Sequence, residues 1–212
     1  MKYRILGKTG LKVSEVGYGA WGIGDFGFWG PSLEDESLKS LLKAYELGVN
    51  FYDTARVYSD NNNGRSEKLI GRLVKEVGRD NLVIASKVPP KNWQWPAREG
   101  VSIEEVFPKE HIVQAVNDSL SCLEIDSIDL MQFHVWQDYF IEEDGWKEVI
   151  KDLTAQGKVK HWGLSLNDYQ PENCQRTVES GLIESVQLIF NIFHQKPIET
   201  LPFFKKHNVG II

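Results

Sequence analysis

Four side chains stand out for their acid–base chemistry and for where they fall. Asp53 closes the run Asn50-Phe51-Tyr52, and Tyr58 follows in the next loop. Lys87 ends Leu82-Val83-Ile84-Ala85-Ser86, and His134 ends Ile128-Asp129-Leu130-Met131-Gln132-Phe133. Each has an ordinary structural reading on its own: Asp53 as a turn cap, Tyr58 as core packing, Lys87 as a solvated strand end, His134 as a satisfied rim histidine. Their shared placement at the ends of apolar runs is what joins them. When hydride reduces a carbonyl, the oxygen becomes an alkoxide and takes up a proton. A tyrosine hydroxyl serves as donor if its pKa falls from about 10 toward neutrality, and a nearby ammonium drives that fall by favouring phenolate. Lys87 is the candidate ammonium, Asp53 its counter-charge, and His134 the donor that orients the carbonyl oxygen. No side chain carries hydride, so this chemistry calls for a nicotinamide cofactor.

The elements that must position these residues follow from hydrophobic periodicity. The opening reads as a hairpin, Tyr3 to Leu6 and Leu11 to Val13, about a Lys8-Thr9-Gly10 turn. Strands are then predicted at 16–19, 50–53, 82–87, 128–134, 159–165, 185–189 and 209–212. They alternate with helices at 33–46, 66–77, 109–123, 145–156, 171–180 and 197–207. Ser66 reads as a helix cap, Pro171 as a first-turn residue, and Gly48, Gly78, Gly157 and Gly181 as helix stops. The strands are continuous apolar runs, which calls for a parallel sheet covered by helices. The fold class is therefore α/β: a (β/α)8 TIM barrel, here incomplete at about seven strands, with an N-terminal β-hairpin. An open doubly wound sheet is the competing arrangement. No linker divides the chain, so residues 1–212 are expected to form a single barrel domain. Asn208 to Ile212 reads as the front of a strand, and an eighth strand is expected to follow it. In such a barrel the active site gathers at the C-terminal strand ends, where all four residues fall together with Ser165 and Gln187.

Composition removes several classes of function. The formal net charge of −6 gives no basic footprint for nucleic acid. No apolar run reaches the length of a membrane span, and the first residues do not read as a signal peptide. Two well-separated cysteines, Cys122 and Cys174, read as free thiols of a cytoplasmic protein. Gly17-Tyr18-Gly19-Ala20-Trp21-Gly22 matches the dinucleotide fingerprint by letter, but it runs into a glycine-rich loop instead of opening a helix. No paired histidines complete a ligand set around Asp53 and His134, so no metal site is expected.

The motifs also resemble a known family. Phe51 to Tyr58, followed by Ser66-Glu67-Lys68-Leu69-Ile70-Gly71, is similar to the first signature of the aldo-keto reductases. Ile84-Ala85-Ser86-Lys87 and Asp129 to His134 match the next two blocks in order, and the resemblance covers nearly the whole chain. It implies a barrel that binds NADP(H) without a Rossmann domain and reduces small aldehydes or ketones to alcohols. Tyr58 is then the proton donor, supported by Lys87, Asp53 and His134. It also implies cofactor contacts from Trp21, Asp53, Ser165, Asn167 and Gln187. Here Ala20 replaces the threonine of the family's Gly-Thr-Trp, and Ser165 and Asn167 are not adjacent as in many members. The aromatic that stacks on nicotinamide and the basic residues that grip the phosphates are expected beyond Ile212. The 212-residue chain alone is accordingly expected to bind NADPH weakly. Trp93 and Trp95, in the loop from Lys91 to Glu105, and Trp136 and Tyr139 read either as packing of an insertion or as an aromatic substrate wall. The alternatives to an active reductase are a catalytically weak fragment and a nucleotide-binding regulatory subunit like the β subunits of voltage-gated potassium channels. Those subunits tend to carry asparagine where this chain has His134.

Overall fold

The structure, a computed structural model, describes residues 1–24, 29–59, 61–166 and 169–212. Strands β1 (Tyr3–Ile5) and β2 (Lys12–Ser14) pair antiparallel as the predicted hairpin. Among the described residues, seven further strands form one parallel sheet in sequence order. They are β3 (Tyr18–Gly19), β4 (Phe51–Asp53), β5 (Val83–Val88), β6 (Ile128–Phe133), β7 (Val159–Ser165), β8 (Ser185–Gln187) and β9 (Gly210–Ile211). A doubly wound sheet reverses direction at a switch point. This sheet does not, and it curls as seven of the eight strands of a (β/α)8 barrel. Its two edges are β3 and β9.

The covering helices are α1 (Glu34–Glu46), α2 (Arg65–Val77), α3 (Ile103–Val106), α4 (Lys109–Leu123), α5 (Gly145–Ala155), α6 (Gln175–Glu179) and α7 (Pro197–Lys206). Three differ from the sequence reading. Helix α3 lies in what reads as loop. Its start is a capping box in which Ser102 Oγ accepts from the Glu105 N–H while Glu105 Oε1 accepts from the Ser102 N–H. Helix α2 is not capped by Ser66. It starts from Gly64 at φ +70°, where a Cβ would stand 2.5 Å from Cys122 Sγ, so only glycine fits. Ser66 instead donates to the Ala20 carbonyl at 2.9 Å and meets Thr54 Oγ1 at 2.7 Å, tying α2 to the sheet. Helix α6 is far shorter than the predicted 171–180. Asp138, distant in sequence, accepts from the backbone N–H groups of Arg176 and Thr177 at 2.9 Å each and so sets where the helix begins.

Apolar burial is continuous between sheet and helices. Phe107, Phe133, Trp136, Phe140, Trp146 and Trp162 form an aromatic block under the fourth and fifth barrel strands. Among the described residues, no helix is long and apolar enough to cross a membrane.

One buried group works against this packing. Glu67, in the first turn of α2, has no exposure, and burial pushes its carboxyl up to about 7 from an ordinary 4.5. Ser86 Oγ donates to its Oε1 at 2.6 Å, which opposes the shift only in part. A folded pKa above the unfolded one means that the folded state holds the proton more tightly. Stability is therefore lost as pH rises from about 4.5 through about 7. Glu67→Gln removes that loss. In urea unfolding between pH 5 and 8, the wild type is expected to lose roughly 2 to 3 kcal/mol more than the variant. Equal pH dependence of the two proteins would show that Glu67 does not titrate in this range.

Candidate active site

Lys87 sits at the C-terminal end of β5 with its side chain inside the barrel, 1% exposed. A lone ammonium there would be strongly penalised. Its three hydrogens are matched by both oxygens of Asp53, each at 2.7 Å, and by the Thr54 carbonyl at 2.9 Å. The register explains the meeting. Asp53, last in β4, pairs with Ala85, and Lys87 lies two residues further along the same face. Burial pulls the Lys87 ammonium down, but Asp53 and Tyr58 more than restore it, leaving its pKa above the usual lysine value.

Asp53 receives two further donors. Gln132 Nε2 approaches Oδ1 at 3.3 Å and Gln187 Nε2 approaches Oδ2 at 3.4 Å. Sequence reasoning misses Gln132. The available signal is a polar residue inside the apolar run Leu130-Met131-Gln132-Phe133, which the sheet places directly beside Lys87.

Tyr58 hangs over this pair, its ring centroid 5.0 Å from Lys87 Nζ. The loop that carries it packs against Gly24, where a Cβ would overlap the Tyr58 carbonyl. His134, one residue beyond β6, meets the Tyr58 ring edge-on at 5.9 Å. The expectation that Tyr58 falls toward neutrality is corrected here. Burial pushes its phenol up, Lys87 pulls it down, and the balance lies above 10. Burial is the largest influence, and Asp53, paired with Lys87 at 2.7 Å, offsets part of the lysine's pull. Tyr58 thus stays protonated at neutral pH, which is the state a proton donor needs. Burial and the Lys87 charge hold His134 well below 6.5, so it is a neutral imidazole, and its Nδ1 is buried with no partner among the described residues.

The aromatic residues divide. Trp95 contacts His134 at 5.9 Å and Trp93 at 5.5 Å, while Trp21 lies 6.1 Å from Tyr58. All three tryptophans are partly exposed; Trp21 and Trp95 flank the Tyr58–His134 pair, and Trp93 packs on Trp95. Trp136 is core, its indole donating to Thr177 Oγ1 at 2.9 Å. Tyr139 braces the insertion by donating to the Val101 carbonyl at 2.9 Å.

Of the cofactor candidates, Ser165 and Gln187 are register neighbours at the ends of β7 and β8. Gln187 Oε1 is buried with no partner among the described residues, an acceptor that suits the N–H of a nicotinamide carboxamide. Asn167 lies outside the described residues. A cavity of about 340 Å³ opens between the edge strands, lined by Gly19, Phe51, Asp53, Gln187, Ile211 and Ile212.

Residues 15–212 match the model of the "Aldo/keto reductase family". The chain is 30% identical over 211 residues to the aldo-keto reductase YhdN of Bacillus subtilis, covering 99% of this chain and 60% of that protein. It is also 30% identical to a probable voltage-gated potassium channel subunit beta of Arabidopsis thaliana, covering all of this chain and 62% of the other. Among solved structures it resembles the holo form of aldo-keto reductase AKR11C1 from Bacillus halodurans, with TM-score 0.79 and 28% identity. That match covers all of this chain and 65% of the other. The chain thus spans between 60% and 64% of the length of the curated relatives it matches. The sheet runs in barrel order, the family model matches residues 15–212, and the chain belongs to the aldo/keto reductase family.

Proposed function

We propose that this polypeptide reduces an aldehyde or ketone to an alcohol with NADPH, Tyr58 supplying the proton. The observation that carries the reading is the stack of Asp53, Lys87 and Tyr58 at the sheet's C-terminal rim, with neutral His134 against the tyrosine ring. A bound nicotinamide supplies the hydride. The chain's own residues do the rest. His134 places an N–H at the carbonyl oxygen, so that charge developing there meets a donor already in position. Tyr58 Oη gives its proton to that oxygen as it becomes an alkoxide. Lys87 then faces the phenolate and stabilises it, while Asp53 keeps Lys87 charged and fixed. On this reading Gln187 and its register neighbour Ser165 receive the carboxamide, and Gln187 also donates to Asp53. Trp21 and Trp95 give the carbonyl an aromatic wall beside Tyr58 and His134.

A second reading has one observation behind it: the equal identity to a potassium channel β subunit. On that reading the nucleotide is held but turnover is incidental. Steady reduction of a generic aldehyde separates the two.

In the polypeptide that carries this chain, Tyr58→Phe is expected to lower kcat by about 10²- to 10⁴-fold while NADPH affinity, read by fluorescence titration, is kept. Turnover retained in the variant removes Tyr58 as the donor. The protonation states set the pH profile as well. Tyr58 stays protonated and His134 neutral across about pH 7 to 9, so kcat for reduction is expected to be flat there, with loss only as pH rises through the raised phenol pKa. A kcat that titrates between those limits would assign the proton to another group.

A further inference from the structure

Four donated contacts converge on the Asp53 carboxylate, two from Lys87 and one each from Gln132 and Gln187. Gln187 has a second task on the reading above. Gln132 has none. It is fully buried in the middle of the sheet, between Lys87 on β5 and Gly163 on β7. Its Oε1 is buried without a partner among the described residues. Leucine would fill the same space without an orphaned oxygen, so packing does not account for an amide here. The neighbouring strand makes room for it: a Cβ on Gly163 would stand 3.2 Å from Gln132 Cγ and 2.3 Å from Ser185 Oγ. Among the described residues, the Gln132 side chain makes one hydrogen bond, to Asp53 Oδ1.

We propose that Gln132 is a positioning residue for the carbonyl reduction, its amide sharing the charge of Asp53 so that Lys87 retains a field on Tyr58. The inference rests on the proposed reductase reading. Lys87 is bound by both oxygens of Asp53 and stands 5.0 Å from the Tyr58 ring centroid. Whatever negative charge Asp53 yields to Gln132 is charge that no longer cancels the ammonium. The amide also fixes the carboxylate plane from the β6 side while Gln187 fixes it from the β8 side. Gln132 touches neither the reacting oxygen nor the phenol; it acts through Asp53 and Lys87.

The test compares Gln132→Leu and Gln132→Glu with the wild type and Tyr58→Phe. Gln132→Leu is expected to lower kcat roughly tenfold, the worth of one hydrogen bond to a charged group. It should leave KM for the carbonyl, NADPH affinity by fluorescence and the unfolding midpoint unchanged. The alkaline limb of kcat is expected to move to higher pH, because the phenolate has lost part of its support. Gln132→Glu, whose proton bridges to Asp53 at low pH, is expected to retain activity near pH 6 and lose it as that proton leaves. Wild-type kcat with an unmoved limb in Gln132→Leu overturns the proposal, as does a loss that tracks a fall in folded protein with the limb unmoved. If the wild type shows no turnover, or Tyr58→Phe keeps it, the reductase reading itself fails and takes this proposal with it. If Tyr58 is essential and Gln132→Leu is silent, this proposal alone falls.

Discussion

The structure turns on an ammonium buried inside a barrel. Lys87 has almost no exposure and cannot be hydrated there, so the surrounding chain must supply what water would. Asp53 gives two acceptors and the Thr54 carbonyl a third. Such a pair adds little net stability, since desolvation of both charges consumes most of the attraction. Folding must therefore come from the apolar layers beneath it. The aromatic block around Phe133 and Trp136 lies outside the sheet, away from the charges. The frame thus draws its stability from these layers, while loss of either partner of the pair would leave a buried charge unpaired.

The same pairing sets the electrostatics of its neighbours. A naked ammonium beside Tyr58 would draw the phenol toward ionisation. Burial outweighs the pull of Lys87, Asp53 adds to burial, and the phenol stays protonated. Lys87 still repels a second positive charge, which with burial keeps His134 neutral. The result is a phenol that keeps its proton beside an imidazole prevented from taking one. On the proposed reading, this arrangement favours proton donation over storage of phenolate, the direction that carbonyl reduction requires.

Much of this is legible in the sequence. Continuous apolar runs ending in Asp53, Lys87 and His134, in strict alternation with helices, specify parallel strands whose ends share one rim. What local pattern did not carry was set by distant partners. Helix α6 begins where Asp138 reaches its N–H groups, and no residue near 171–175 encodes that. Ser66 looks like a cap by type, yet Gly64 starts the helix because Cys122 leaves no room for a Cβ, and the hydroxyl turns to Ala20. Helix α3 is a different kind of miss: its Ser102-to-Glu105 capping box was present in the letters and the short span concealed it. The direction of the Tyr58 shift depends on a sum of burial and two opposite charges, which residue types alone do not weigh.

Gln187 shows why the proton-handling and nucleotide-holding parts of this rim are not separable. Its amide nitrogen faces Asp53 Oδ2, and its oxygen is buried and unpartnered among the described residues. One planar group therefore has one end in the charge network and the other at the place proposed for the carboxamide. An amide cannot rotate to improve one contact without moving the other. A ligand that fixes the oxygen also fixes the nitrogen, and through it the carboxylate that orients Lys87. On the proposed reading, seating of the nicotinamide and alignment of the proton donor are then a single structural event, transmitted over one side chain and one ion pair.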